Sequence, residues 1–164
     1  MTFSSKAEYG VRLMVELGRQ EGDQPTSLKA IAEAEDLPLS YLEHVVASLK
    51  RAGLVASSRG AHGGYRLARP AEDIAMDEVV LALEGSIAPM ECFTAAPPGK
   101  VACSHEGDAA STCSTKLLWM RVQMGMVQAL QGTTLAELVE FSRCGDPVAA
   151  AEGVTALPVV QAGS

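Results

Sequence analysis

Between Ser27 and Pro70 the hydrophobic pattern runs at helical spacing, breaks, resumes, and then switches to alternation. In "SLKAIAEAEDL" Leu28, Ile31 and Ala32 share one face, and Thr26 or Ser27 stands where a helix cap belongs. Pro38 interrupts this helix. A second one, "LSYLEHVVASLKRAG", puts Leu42, Val45, Val46 and Leu49 on one side and stops at Gly53. "LVASSRGAHGGYRLARP" then alternates out from Leu54-Val55, turns at Gly60, Gly63 and Gly64, and returns through Tyr65-Arg66-Leu67 to Pro70. Two short helices joined by a tight turn and followed by a glycine-tipped hairpin predict a winged helix-turn-helix.

That architecture implies a function on physical grounds. The second helix of such a pair enters the major groove, and its N-terminal residues meet base edges. Here those residues are Ser40, Tyr41, Glu43 and His44. Ser40 and Tyr41 can donate to phosphates or bases, and Glu43 can accept from cytosine N4. The hairpin lies along the sugar-phosphate backbone, where Arg59 reaches phosphates or the minor groove, Gly60, Gly63 and Gly64 let the main chain come close, and Tyr65 is counted with them as a DNA-binding residue. A net charge of −7 argues against a nucleic-acid partner until it is mapped. Residues 1–70 carry nine Lys/Arg against eight Asp/Glu, and residues 71–164 carry four against twelve. Lys50, Arg51, Arg59, Arg66 and Arg69 fall in a stretch with no acid, so the field there is expected to be positive. The plainer alternative is a small helical bundle whose bases form a solvated face.

The rest of the chain is mainly helical. Residues 4–20 form a helix with Tyr9, Val11, Leu13, Met14, Val15 and Leu17 as a wide apolar stripe, and residues 75–84 form a shorter one. Over 114–132, Leu117, Met120, Met124 and Val127 make one stripe and Leu118, Val122, Met126 and Leu130 another. A helix apolar on two faces has two neighbours to satisfy, here its own body and a second subunit. Residues 133–141 close the fold as a short helix capped by Thr133 or Thr134, and 143–164 read as a disordered tail. The fold class is therefore mainly α with a small β-wing. It divides into a DNA-binding domain over 1–85, a cysteine-bearing segment over 86–113, a dimerisation helix and closing helix over 114–142, and the tail. No apolar run approaches the roughly 18 residues of a membrane span, and the first residues lack a signal-peptide stretch, so a cytoplasmic protein without a membrane partner is expected.

Segment 86–113 has no usable period and holds Cys92, Cys103 and Cys113 among Gly, Pro, Ser and Ala. A long patternless connection in a compact chain is functional or disordered. Four cysteines are too few for a disulfide scaffold, and clustered thiols in a cytosolic chain point to metal or redox chemistry.

"LPLSYLEHVVASLKRAGLVASSRGAHGGYRLARP", residues 37–70, closely resembles the DNA-binding segment of the Rrf2 family of bacterial transcription regulators. The "LSYLE" start, the "GLV" after the helix and the "RG…GGY.L" wing carry the likeness, together with "SSKAEYGVRLMVELG" and "LW…TTLAELV", over about residues 1–142. The resemblance implies a homodimer paired through the long C-terminal helix, binding a double-stranded DNA operator. It also implies an iron–sulfur cluster, because cluster-bearing members carry three cysteines between wing and long helix, where Cys92, Cys103 and Cys113 stand. Thiolate suits iron in such clusters. A cuboidal 4Fe-4S cluster is favoured, with 2Fe-2S open. Cys144, beyond the long helix, is not counted.

Two departures bear on the ligand set. Ten and nine residues separate the cysteines, where some members have about five, and Lys116 stands where those members place a histidine. The fourth ligand is therefore open. Glu8 comes first, since other members carry an acid there, on either subunit; His105 comes second, and an exogenous ligand third. The rivals are a thiol switch or zinc, though zinc favours close Cys pairs that are absent here. No convergent acid, base and nucleophile set suggests an enzyme. Iron–sulfur supply, nitric oxide and redox stress all remain as signals for a repressor of this kind.

Overall fold

The computed structural model describes residues 3–20, 24–60, 63–90 and 113–144. In chain order they form α1 (Ser5–Arg19), α2 (Leu28–Glu35), α3 (Leu39–Arg51), β1 (Val55–Ser58), β2 (Gly64–Leu67), a 3-10 turn (Ala71–Asp73), α4 (Met76–Glu84), α5 (Ser114–Gln131) and α6 (Leu135–Cys144).

Local chemistry sets most of these boundaries. Ser4 and Ser27 cap α1 and α2, each hydroxyl accepting an N–H three residues on, at 3.4 and 3.1 Å. Asp36 ends α2 in the left-handed region, and Pro38, barred from continuing a helix, sits at the N-cap of α3. Gly53 takes φ +74° just past α3, where a side chain would be strained. β1 and β2 pair antiparallel with Val55 opposite Leu67 and Ser57 opposite Tyr65.

One core joins α1 to α4, the root of the wing and α6. Leu13, Met14, Ile31, Leu42, Val45, Leu49, Ile74, Val79 and Leu135 are all fully buried in it. α6 reaches this core because the α5–α6 turn is sewn to the start of α4. Met76 donates its N–H to the Thr133 carbonyl at 3.0 Å, and Leu135 donates to that of Ile74 at 2.9 Å. Thr134 and Glu137 then cap α6 reciprocally.

α5 is different. Leu117, Leu118, Met120, Val122 and Met124 are exposed, from both predicted stripes, and of the later residues Leu130 packs against the core. The expectation that one stripe meets the chain's own body therefore holds only at the helix's C-terminal end.

Two segments differ from the sequence reading. α6 runs three residues past 141, so Arg143 and Cys144, placed in the tail, are helical, and Arg143 donates to the Arg19 carbonyl at 3.1 Å. At the start of the cysteine segment Ile87 is buried. The remainder of the expected tail, 145–164, lies outside the described residues.

Candidate nucleic-acid interface and cysteine site

The buried face of α3 decides what its other face offers. With Leu42, Val45, Val46 and Leu49 in the core, Ser40, Tyr41, Glu43 and His44 are all exposed near its start. Tyr41 is the least free of the four: its ring stands edge-on to Tyr9 of α1, with centroids 5.4 Å apart at 79°. α1 also grips α2. Arg12 Nε donates to the Glu35 carboxylate at 2.8 Å, its Nη2 bonds the Glu35 carbonyl, and Arg19 lies 3.6 Å from the same carboxylate. The half-buried Glu35 thus holds two cations at the end of α2 and fixes the angle between α1 and the helix pair.

The wing is tied to both helices of the pair. Lys50 Nζ at the end of α3 donates to Ser57 Oγ of β1 at 2.6 Å. Thr26, just before α2, exchanges two main-chain bonds of 2.8 Å with Tyr65, making a one-residue third strand. Arg59 and Gly60 are exposed at the tip, Gly60 with φ +121°. Gly63 and Gly64 serve the chain's own packing first. A Cβ on Gly63 would sit 2.6 Å from the Ser58 carbonyl oxygen, and one on Gly64 would overlap the Thr26 carbonyl. Tyr65 is half-buried against the core, unlike the exposed Arg59. Gly64→Ala is therefore expected to open the Thr26–Tyr65 bridge and lower stability by about 1–3 kcal/mol. DNA affinity should fall with it; denaturation and electrophoretic mobility shift measure the two effects.

The charge pattern needs one correction. Arg69 is paired with Glu78 of α4, so the acid-free stretch is partly neutralised from outside its own sequence. Lys50, Arg51 and Arg59 remain exposed on the α3–wing side.

Of the candidate cluster ligands, Cys113 and Glu8 are described; Cys92, Cys103 and His105 lie outside the described residues, as does His62 of the wing. Glu8 is exposed in the first turn of α1. Cys113 occupies the N-cap of α5, part-buried, with Sγ 3.2 Å from the Thr115 hydroxyl. That hydroxyl, then the main-chain N–H groups of Lys116 and Thr115, hold the Cys113 thiol below its ordinary value. These contacts stabilise the charged form relative to an ordinary thiol, the direction that suits a soft-metal ligand or a reactive thiol. Among the described residues no three His, Cys, Asp or Glu side chains gather closely enough to hold a metal. Sequence reasoning passed over Thr115; a hydroxyl two residues after a cysteine at a helix start was the available signal. With its first-turn hydroxyl removed, Thr115→Val protein should be alkylated at Cys113 by iodoacetamide more slowly than wild type at neutral pH. The lowered thiol is ionised to a greater extent there, and the variant moves back toward the ordinary value. Peptide mass spectrometry reads the rate.

Over residues 3–141 the sequence matches the family described as Rrf2, iron-dependent transcriptional regulator. The chain belongs to the Rrf2 family. It is 36% identical over 142 residues to the HTH-type transcriptional regulator CymR of Bacillus subtilis, covering 87% of this chain and 92% of that one. The solved structure of CymR, the global cysteine regulator of B. subtilis, aligns with a TM-score of 0.66 at 34% identity, covering 86% of this chain and 98% of that one. The oxidised form of Staphylococcus aureus CymR aligns at 0.64 and 38% identity, covering 85% and 97%. The HTH-type transcriptional regulator IscR of Photobacterium profundum is 36% identical over 139 residues, 85% of this chain and 76% of its own. This Rrf2 protein is thus a transcriptional regulator, not an enzyme, with the winged-helix fold by which the family binds DNA. Among its described residues no helix is long and apolar enough to cross a membrane.

Proposed function

We propose that the protein is a homodimeric, iron–sulfur-binding repressor that releases or engages its operator as the cluster changes state. Cys92, Cys103 and Cys113 would hold the cluster, with Glu8 as the fourth ligand, His105 or an exogenous group being the replacements if Glu8 fails. A cuboidal 4Fe-4S cluster is the first choice. When bound, it would supply sensitivity to oxidation, to iron–sulfur supply or to nitric oxide. The observation that carries the reading is Cys113: a thiol held toward its charged form at the start of the long helix, preceded in sequence by two more cysteines.

On the DNA side, Ser40, Tyr41, Glu43 and His44 would meet base edges, and Arg59 with Gly60 would follow the backbone. Gly63, Gly64 and Tyr65 would shape the wing rather than touch DNA. Two copies paired through the exposed apolar residues of α5 would present their α3 helices to half-sites one helical turn apart, about 34 Å, so a small change in spacing would alter affinity. A cluster acts as a signal only if it favours one spacing over another.

A second reading keeps DNA binding and drops the cluster. It has its own support in the likeness to two CymR proteins, the global cysteine regulator of B. subtilis and the S. aureus protein solved in an oxidised form. There Cys113 would be a redox-active thiol. Purification without oxygen, followed by an absorption spectrum and iron and sulfide counts, separates the two. A broad visible band with about four irons and four sulfides per chain supports the cluster. Colourless, iron-free protein that still binds operator supports the thiol. Equal operator affinity with and without the cluster would rule out sensing by it.

A further inference from the structure

Three helices begin under a side chain: the hydroxyls of Ser4, Ser27 and Thr134 accept from the first turns of α1, α2 and α6. The start of α3 lacks this support. Pro38 stands at its N-cap with no side-chain hydrogen bond, and Leu39, Ser40 and Tyr41, its first three residues, are all exposed. The core contact of the helix begins at Leu42, which is fully buried. An uncapped first turn is prone to fray, because its leading N–H groups have no partner within the helix. What meets this turn from outside is Tyr9 of α1. The two rings stand edge to face, with centroids 5.4 Å apart at 79°, the arrangement that aromatic pairs favour. Tyr9 is the firmer partner: it is half-buried and packed against the core, whereas Tyr41 is 36% exposed.

One side of α1 thereby reaches both helices of the pair. Arg12 follows Tyr9 by three residues and neighbours it on the helix surface. Arg12 holds α2 through the Glu35 carboxylate at 2.8 Å, and Tyr9 holds the start of α3. The consequence falls on binding. An exposed tyrosine gives up side-chain freedom when it is fixed against DNA, and that loss subtracts from affinity. A ring already seated against another ring has less to give up, and a side chain that reads base edges must arrive at a set place. We infer that Tyr9 is a positioning residue for operator recognition, seating the Tyr41 side chain and the first turn of α3 before DNA arrives. The inference deepens the DNA-binding reading above and rests on Tyr41 meeting base edges.

Tyr9→Phe, Tyr9→Leu, Tyr9→Met, Tyr41→Ala and the double variant Tyr9→Leu with Tyr41→Ala, all as full-length protein purified alike, test it. Fluorescence anisotropy measures affinity for two probes, an operator selected by the wild-type protein from random duplex DNA and the non-specific duplex poly(dI-dC). Leucine and methionine are good helix formers that fill a half-buried site, so α1 should keep its place, and melting temperature checks that it does. Tyr9→Leu and Tyr9→Met should bind the operator roughly 2- to 12-fold more weakly for each half-site contacted, the factor that an edge-on aromatic pair is worth. Their affinity for poly(dI-dC) should stay at the wild-type value. Tyr9→Phe keeps the ring and should bind both probes as wild type does. In the Tyr41→Ala background Tyr9→Leu should cost nothing further, whereas damage to the core would add to the loss of Tyr41. Wild-type operator affinity in Tyr9→Leu and Tyr9→Met, or a loss that persists undiminished beside Tyr41→Ala, overturns this inference alone. A Tyr9→Phe protein as weak as Tyr9→Leu also overturns it, by assigning the effect to the Tyr9 hydroxyl. Wild-type operator affinity in Tyr41→Ala overturns the role of Tyr41 in reading DNA and this inference with it.

Discussion

Cys113→Ala protein is expected to leave an anaerobic purification colourless, with iron and sulfide at background, while Cys144→Ala protein keeps the full complement. Both thiols lie at helix ends, and the contrast rests on which end. Cys113 stands at the N-terminus of α5, where a first-turn hydroxyl and main-chain N–H groups stabilise the thiolate, and Cys144 closes α6. Loss of a thiolate ligand should cost more than the roughly 10- to 100-fold that removing an orienting neighbour costs a metal site. Cluster-free Cys113→Ala should still bind operator as the cluster-free wild type does, since α3, the wing and the core that orients them contain no cysteine. Its operator affinity should stop responding to iron and sulfide added under reducing conditions. A coloured Cys113→Ala would show that the ligand set is wrong.

The winged helix was legible because each of its elements announces itself locally. Leu28, Ile31 and Ala32, then Leu42, Val45, Val46 and Leu49, repeat at helical spacing, Pro38 and Gly53 interrupt, and all seven apolar residues are buried. What escaped was the set of side-chain pairs that join one element to another. Arg12 with Glu35, Lys50 with Ser57, and Arg69 with Glu78 are side-chain matches that no period encodes. The extra turn of α6 escaped for the same reason, since Arg143 is held by the Arg19 carbonyl across the fold. Of the glycines expected at the turn, Gly60 and Gly63 are joined by a main-chain hydrogen bond there, while Gly64 opens β2. Gly63 and Gly64 are small because the chain's own Ser58 and Thr26 carbonyls crowd them. For the proposed cluster site, Cys92, Cys103 and Cys113 came from the sequence and the iron–sulfur chemistry from the resemblance. Neither could reveal that Ile87, five residues before Cys92, is pinned by Gln123.

Leu117→Glu combined with Met124→Glu should turn the proposed dimer into a monomer and lower operator affinity by roughly 10²- to 10⁴-fold, the gain that linking two binding units confers. Leu117 and Met124 lie on one stripe two turns apart and are 58% and 56% exposed within the protomer. Glutamate is a good helix former, so neither α5 nor the core should be disturbed, and far-ultraviolet circular dichroism should be unchanged. Facing an equivalent helix, two buried carboxylates per chain would have to shed water with no cation opposite, a cost that favours dissociation. Analytical ultracentrifugation reads the association state. The contact each protomer makes with a single half-site should survive, so the loss should shrink when binding is measured on DNA carrying one half-site. A double variant that stays dimeric and binds the full operator normally would move the interface off this stripe. The exposed Leu118 and Val122 on the neighbouring stripe would then be the next residues to change.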